Sequence, residues 1–197
     1  MFIDSNILIT WGAVSRKYKK GECVFIEGEV PAYFYQITEG KVRLFNTNFS
    51  GKEFTQGEFT TGESFGEPPI FIEEPYPSTA VACEHSVVLK IHKKQFLSLL
   101  DEYPFLQKKV IQLLAKRIYN KAVTVREIIN NSPEDRIMSF LKAYKKKQCC
   151  ERTEIEIPYT RQEIANFTGL RVETVIRTLH KMQKLNRVYI VNRKLLF

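Results

Sequence analysis

From Val14 to Leu100 the chain alternates short apolar runs with Gly, Pro and Asn. CVFIEG, YFYQITEG, KVRLFN and SVVLKIH are typical of these runs. Aromatic and β-branched residues dominate them, as half-buried pleated surfaces favour. Many short strands at this spacing predict a β-sandwich or barrel, with no internal sequence repeat. Near Gln95 the periodicity changes. From Pro104 to Asn130 there is no Gly and no further Pro, and Leu106, Val110, Leu113, Leu114, Ile118, Ala122, Val125 and Ile129 recur at three- and four-residue steps. That spacing predicts one helix of about 40 Å at 1.5 Å per residue. A helix of this length would overhang a domain of about 100 residues, and its stripe is close to heptad spacing. Pairing with a second copy through residues 104–130 is therefore expected.

The segment NNSPEDRI ends that helix and starts another. Ser132 suits an N-cap, Pro133 the first helical position, and Asp135 the third position of a capping box, with the new helix running to about Lys147. KKKQCCERTE then reads as a polar connector. In YTRQEIANFTGLRVETVIRTLHKMQK, Thr160 and Glu163 form a second capping box ahead of a short helix from Arg161 to Phe167. Gly169 breaks it, Leu170 plugs the turn, and Arg171 opens a helix with Val175, Leu179 and Met182 as its buried stripe. Two helices joined by a tight Gly turn are a helix-turn-helix, whose second helix enters the DNA major groove. RVYIVNRKLLF follows as two β runs around Asn192-Arg193, a hairpin or wing. The predicted fold class is α+β: a β domain over residues 1–103, a long helix over 104–131 and a winged helix-turn-helix over 132–197.

Charge sharpens this picture. Residues 1–131 hold 16 Lys and Arg against 15 acids, and residues 132–197 hold 14 against 7, so nearly all of the net +8 lies in the last third. A basic excess confined to one segment points to an anionic partner there, with nucleic acid first. The outward residues of the second helix are Arg171, Glu173, Thr174, Arg177 and Lys181. Arg can bond guanine bidentately, Glu can accept from cytosine, and Thr174 and Lys181 suit phosphate contacts.

Other function classes find less support. The sequence offers no nucleophile–base spacing, metal-ligand cluster or P-loop, so neither an enzyme nor a metal or cofactor site is expected. No apolar run approaches the roughly 18–20 residues of a membrane span, and the first twenty residues lack a secretory-leader pattern. A cytosolic chain with reduced cysteines follows, the vicinal Cys149-Cys150 being either exposed connector thiols or a redox sensor.

TRQEIANFTGLRVETVIRTL resembles the winged helix-turn-helix of the catabolite activator and fumarate-nitrate reductase regulator (Crp/Fnr) family of bacterial transcription factors. The order of β domain, long helix and winged helix matches over nearly the whole chain. The resemblance implies that Arg161 and Gln162 lie where the first helix meets the DNA backbone, that Glu173 and Arg177 read a G·C-containing core, and that Thr174 contacts phosphate. It also implies a cyclic-nucleotide-binding-like jelly roll, an RNA polymerase contact and a half-site with a TGA core. Val172 and Ile176 depart from the two branches in turn, leaving the outer bases open.

The resemblance extends to GESFGEPPIFIEEPYPSTAVA. Phe65-Gly66-Glu67 matches the family's loop for ribose hydroxyls, and Ser78 and Thr79 fall in the phosphate cassette, but Pro77 stands where the family carries an Arg. Pro77 supplies neither a cation nor an N–H. Glu73 and Glu74 add negative charge nearby. The family's adenine-contacting pair aligns with Lys121 and Ala122, and Lys121 is a candidate cation. The candidate pocket is thus Gly66, Glu67, Ser78, Thr79 and Lys121, expected not to bind cyclic AMP; an unknown small-molecule effector, or none, remains open. The reading is a homodimeric, sequence-specific transcription regulator on a near-palindromic site, the alternative being a small-molecule signalling module without sequence-specific DNA binding.

Overall fold

The computed structural model describes residues 2–130, 132–148 and 154–197. The Cys149-Cys150 pair lies outside these. The elements, in chain order, are α1 (Ser5–Thr10), β1 (Val14–Tyr18), β2 (Cys23–Phe25), β3 (Tyr33–Glu39), β4 (Lys41–Thr47), β5 (Glu53–Thr60), β6 (Ser64–Phe65), α2 (Pro68–Ile72), β7 (Thr79–Ala82), β8 (Ser86–His92), α3 (Lys93–Glu102) and α4 (Pro104–Asn130). Then come α5 (Pro133–Lys147), β9 (Glu156–Ile157), α6 (Arg161–Thr168), α7 (Val172–Lys184), β10 (Tyr189–Val191) and β11 (Lys194–Leu196). They fall into two compact units, Met1–Ile118 and Tyr119–Phe197.

In the first unit the apolar runs form two four-stranded antiparallel sheets, ordered β1-β8-β3-β6 and β2-β7-β4-β5. This is the predicted jelly roll. Alternation along β3 shows how its sheet is buried on both faces. Tyr35 and Ile37 point into the space between the sheets with Phe25, Val42, Phe65 and Tyr76. Phe34 points the other way, stacking on Phe96 of α3 at 4.1 Å between ring centroids, in a second cluster that includes Leu8 of α1 and Leu106 and Val110 of α4. The short helices α1, α2 and α3 interrupt a region read from sequence as β. α1 and α2 hold too few residues to display a helical period, whereas α3 buries Phe96, Leu99 and Leu100 at i, i+3 and i+4; α1 and α3 form because the outer sheet face needs cover.

The long helix spans the predicted residues, 27 in all. Its apolar stripe divides between two uses. Leu106 and Val110 are buried in the first unit's core, whereas Ile118 and Val125 are more than half exposed.

In the second unit, Ser132 caps α5 by accepting from the Asp135 N–H, with Pro133 at the first turn as predicted. The helices α5, α6 and α7 enclose one core in which Ile137, Leu141, Ile164, Val175, Leu179 and Met182 are fully buried. The wing is a three-stranded sheet ordered β10-β11-β9. Asn192 and Arg193 both take positive φ, 49° and 65°, at its turn. That is the two-residue geometry whose twist matches a hairpin. The strand β9, a two-residue piece, went unseen in the sequence.

Candidate functional site

The helix-turn-helix is fixed at both ends of α6. Thr160 accepts from the Glu163 N–H at 3.2 Å, and the Glu163 carboxylate accepts from the Thr160 N–H at 2.7 Å, a reciprocal cap. At the other end Gly169 turns left-handed at φ 67°, and the Arg136 guanidinium donates to the Thr168 carbonyl. A cation on the last carbonyls of a helix suits its dipole. Burial holds the Arg136 pKa below the usual guanidinium value. Leu170 is buried in the turn, so α7 leaves α6 at a fixed point.

One stripe of α7, at Val175, Thr178, Leu179 and Met182, faces the core. The opposite stripe, Glu173, Ile176, Arg177 and His180 at i, i+3, i+4 and i+7, is exposed. One helix face is therefore free along its length and carries Arg177 and Glu173 side by side. Arg171 is the N-cap residue and exposed, with no side-chain bond to the helix. Thr174 is half-buried on one flank. On the same flank Lys181 Nζ lies 3.2 Å from Glu134, whose other oxygen accepts from Arg187 at 2.6 Å. Lys181 is thus tied to the first turn of α5. Gln162 is exposed and donates to Asn166 at 2.9 Å. Arg161 is half-buried, its pKa lowered by burial. It lines a cleft of about 640 Å³ between α7 and the wing, with Ile176, His180, Arg193 and Lys194 also in its walls.

In the first unit, the loop after β6 brings Gly66 and Glu67 into the interior, Ser78 precedes β7 and Thr79 opens it. Glu67 and Ser78 are buried, and Thr79 is half-buried. Three contacts occupy this region. Glu67, fully buried, pairs with the guanidinium of Arg117 from α4, which also donates to the Ser64 carbonyl at 2.6 Å and lies 5.0 Å over the Phe59 ring. Phe25 and Tyr76 stack at 3.7 Å, and a Cβ on Gly66 would stand 2.9 Å from the Phe25 ring. Burial pushes the Tyr76 phenol up to about 12. At the third point, where the family carries an Arg, the Asn46 amide donates to the Pro77 carbonyl and, at 3.1 Å, to the Glu27 carboxylate. The Glu27 N–H in turn donates to Thr79 at 3.1 Å. A carboxylate therefore stands beside Pro77. Glu73 and Glu74 are exposed, Glu73 in an ion pair with Lys93. Lys121 is exposed, about one turn beyond Arg117.

Arg117, Glu27, Asn46 and Glu134 were not singled out in the sequence. Arg117 left a trace: it follows Val110 and Leu114 at i+7 and i+3, a polar residue in the buried stripe of α4. Nothing in local sequence marks the other three, whose partners lie 10 to 53 residues away.

A jelly-roll domain followed by a winged helix-turn-helix, with an exposed polar face on its second helix, defines a two-domain regulator of the DNA-binding class. Residues 15–103 match the cyclic nucleotide-binding domain model, and residues 135–196 match the Crp-like helix-turn-helix domain model. The chain is 28% identical over 167 residues to the cyclic AMP receptor protein of Thermus thermophilus, covering 85% of this chain and 76% of that protein. It is 27% identical over 172 residues to the transcriptional activator protein FnrA of Stutzerimonas stutzeri, covering 86% and 70%. Among solved structures, the c-di-GMP-responsive global regulator CLP of Xanthomonas campestris superposes with a TM-score of 0.86 at 20% identity, over 98% of this chain and 99% of that one. The chain belongs to the Crp/Fnr family of transcription regulators. It carries that family's helix-turn-helix DNA-binding domain, and its relatives are regulators, not enzymes. No helix among the described residues is long and apolar enough to cross a membrane.

Proposed function

We propose that this chain is a homodimeric regulator that reads a near-palindromic DNA site without a cyclic-nucleotide effector. The observation that carries the reading is the exposed Glu173–Ile176–Arg177–His180 stripe on a helix whose opposite stripe is buried, in a segment that holds nearly all the net charge. Arg177 and Glu173 read a G·C pair, Arg171 reaches the groove from the helix start, and Arg161, Gln162 and Thr174 hold phosphates. Lys181 joins them once a phosphate competes with Glu134. Two copies pair through α4, whose exposed Ile111, Ile118 and Val125 are supplied with no cover by the single chain. Their second helices then enter successive major grooves roughly 34 Å apart. The RNA polymerase surface is expected from the family, and the protein works in the cytosol, where its DNA is.

The sensor domain supports an effector-independent reading, although relatives' names include a cyclic AMP receptor and a c-di-GMP-responsive regulator. A cyclic phosphate needs a cation or several donors. At Pro77 this chain offers Glu27 instead, and its Gly66–Glu67 loop is already engaged by Phe25, Tyr76 and Arg117. The test is selection of bound sites from random duplex DNA by the purified, ligand-free protein. A recovered near-palindrome with a G·C-containing core supports the reading; retention of all duplexes alike returns the chain to the signalling-module alternative.

A further inference from the structure

The exposed stripe of α7 contains one apolar member. Ile176 is 42% exposed, between Glu173 at i−3 and His180 at i+4 and beside Arg177. Val175 just before it and Thr178 two positions on are buried, so the helix is correctly phased and Ile176 is outside the core by position, not by fraying. Within the chain it faces the cleft between α7 and the wing, whose walls also carry Arg161, His180, Arg193 and Lys194. Those are groups suited to phosphate. Lys194 is held by Glu156 of the same cleft at 2.9 Å, and an isoleucine amid the other three cannot itself hold an anion. The apolar group that DNA presents in the major groove is the thymine 5-methyl.

We infer that Ile176 is a specificity-determining residue that reads a thymine methyl group, at the base step adjoining the G·C pair read by Arg177. The inference rests on the DNA-reading role proposed above and adds to it a residue and a chemistry. Ile176 and Arg177 both neighbour Glu173 on the exposed face, at i+3 and i+4, so the three side chains reach one short run of base pairs. Basic groups on the cleft walls hold the backbone on the wing side, and Ile176 meets the groove floor between them. Removing one methyl from water corresponds to a discrimination of about fourfold.

The experiment uses the full-length protein and the sites it selects from random duplexes. Each dT of a selected half-site is replaced singly by dU, which lacks only the methyl, and affinities are compared at one salt concentration. The expected result is one sensitive thymine per half-site, next to the G·C core, weakened about fourfold by dU, with the other thymines indifferent. Ile176→Ala should abolish that sensitivity and leave discrimination at the G·C pair intact, and Ile176→Val should restore part of it. Selected sites with no dU-sensitive thymine next to the core, or the same sensitivity in Ile176→Ala, overturn the assignment while leaving DNA reading in place. Failure to select any sequence overturns the DNA-reading proposal itself, and this inference with it. The dU comparison is made on the unmutated protein, so it stands whether or not the variants fold.

Discussion

Val175 and Arg177 are two positions apart on α7 and have opposite fates: one is fully buried, the other exposed beside Glu173. That contrast follows from helical period alone, and the sequence displayed it without any knowledge of the fold. Charge was legible for the same reason, since an arginine opposite a buried stripe has nowhere to go but outward. Arg177→Ala should therefore cost about 1–3 kcal/mol of binding to the selected site and relax specificity at its G·C pair. A gel-shift series on matched and mismatched duplexes measures it, and equal losses on both would deny Arg177 a base-reading role. What single residues hid was their partners. Lys181 looks like a free phosphate ligand until Glu134, 47 positions earlier, is seen to hold it at 3.2 Å. The missing cation at Pro77 was legible as a substitution, but the carboxylate beside it was not, because Glu27 and Asn46 reach that loop from separate strands or turns of the sandwich.

Elements with their own punctuation could be read to within a residue or two. The α4 helix starts at its proline, α5 follows a Ser-Pro cap, and α6 sits behind a reciprocal Thr160–Glu163 cap. Each signal is local hydrogen-bond chemistry written in adjacent residues. The elements missed, α1, α2, α3 and β9, are short, and long-range packing decides them: α1 and α3 cover the outer face of the β1-β8-β3-β6 sheet, and β9 exists only as the third strand beside β11. The cap on α6 carries its own expectation. Thr160→Ala removes the acceptor for the Glu163 N–H and should lower the stability of the C-terminal unit by about 0.5–2 kcal/mol. Urea unfolding of the full chain, followed by a probe in that unit, checks it. An unchanged midpoint would mean that tertiary packing holds α6 without its cap.

For the whole molecule, the two regions divide the work along the charge boundary. The first 131 residues are nearly neutral, and the remaining 66 hold the basic excess. That division pointed to nucleic acid before any fold was known, whereas the state of the sensor domain emerged only from contacts between distant strands and α4. Two predictions belong at this scale. The proposed pairing through the exposed apolar residues of α4 makes sedimentation at tens of micromolar give twice the chain mass; a monomer there would contradict pairing through residues 104–130. Calorimetry with cyclic AMP should show no heat of binding at micromolar to tens of micromolar ligand, and saturable binding would mean that the domain can rearrange around Glu27 and Arg117. The Glu67–Arg117 contact has a consequence for how such a chain can drift over generations. A fully buried carboxylate that loses its guanidinium is left uncompensated at a cost of about 3–5 kcal/mol, whereas replacing both by apolar groups is close to neutral. Loss of Arg117 alone is thus the costly step, and a lineage leaves this arrangement most readily by exchanging position 67 before or together with position 117.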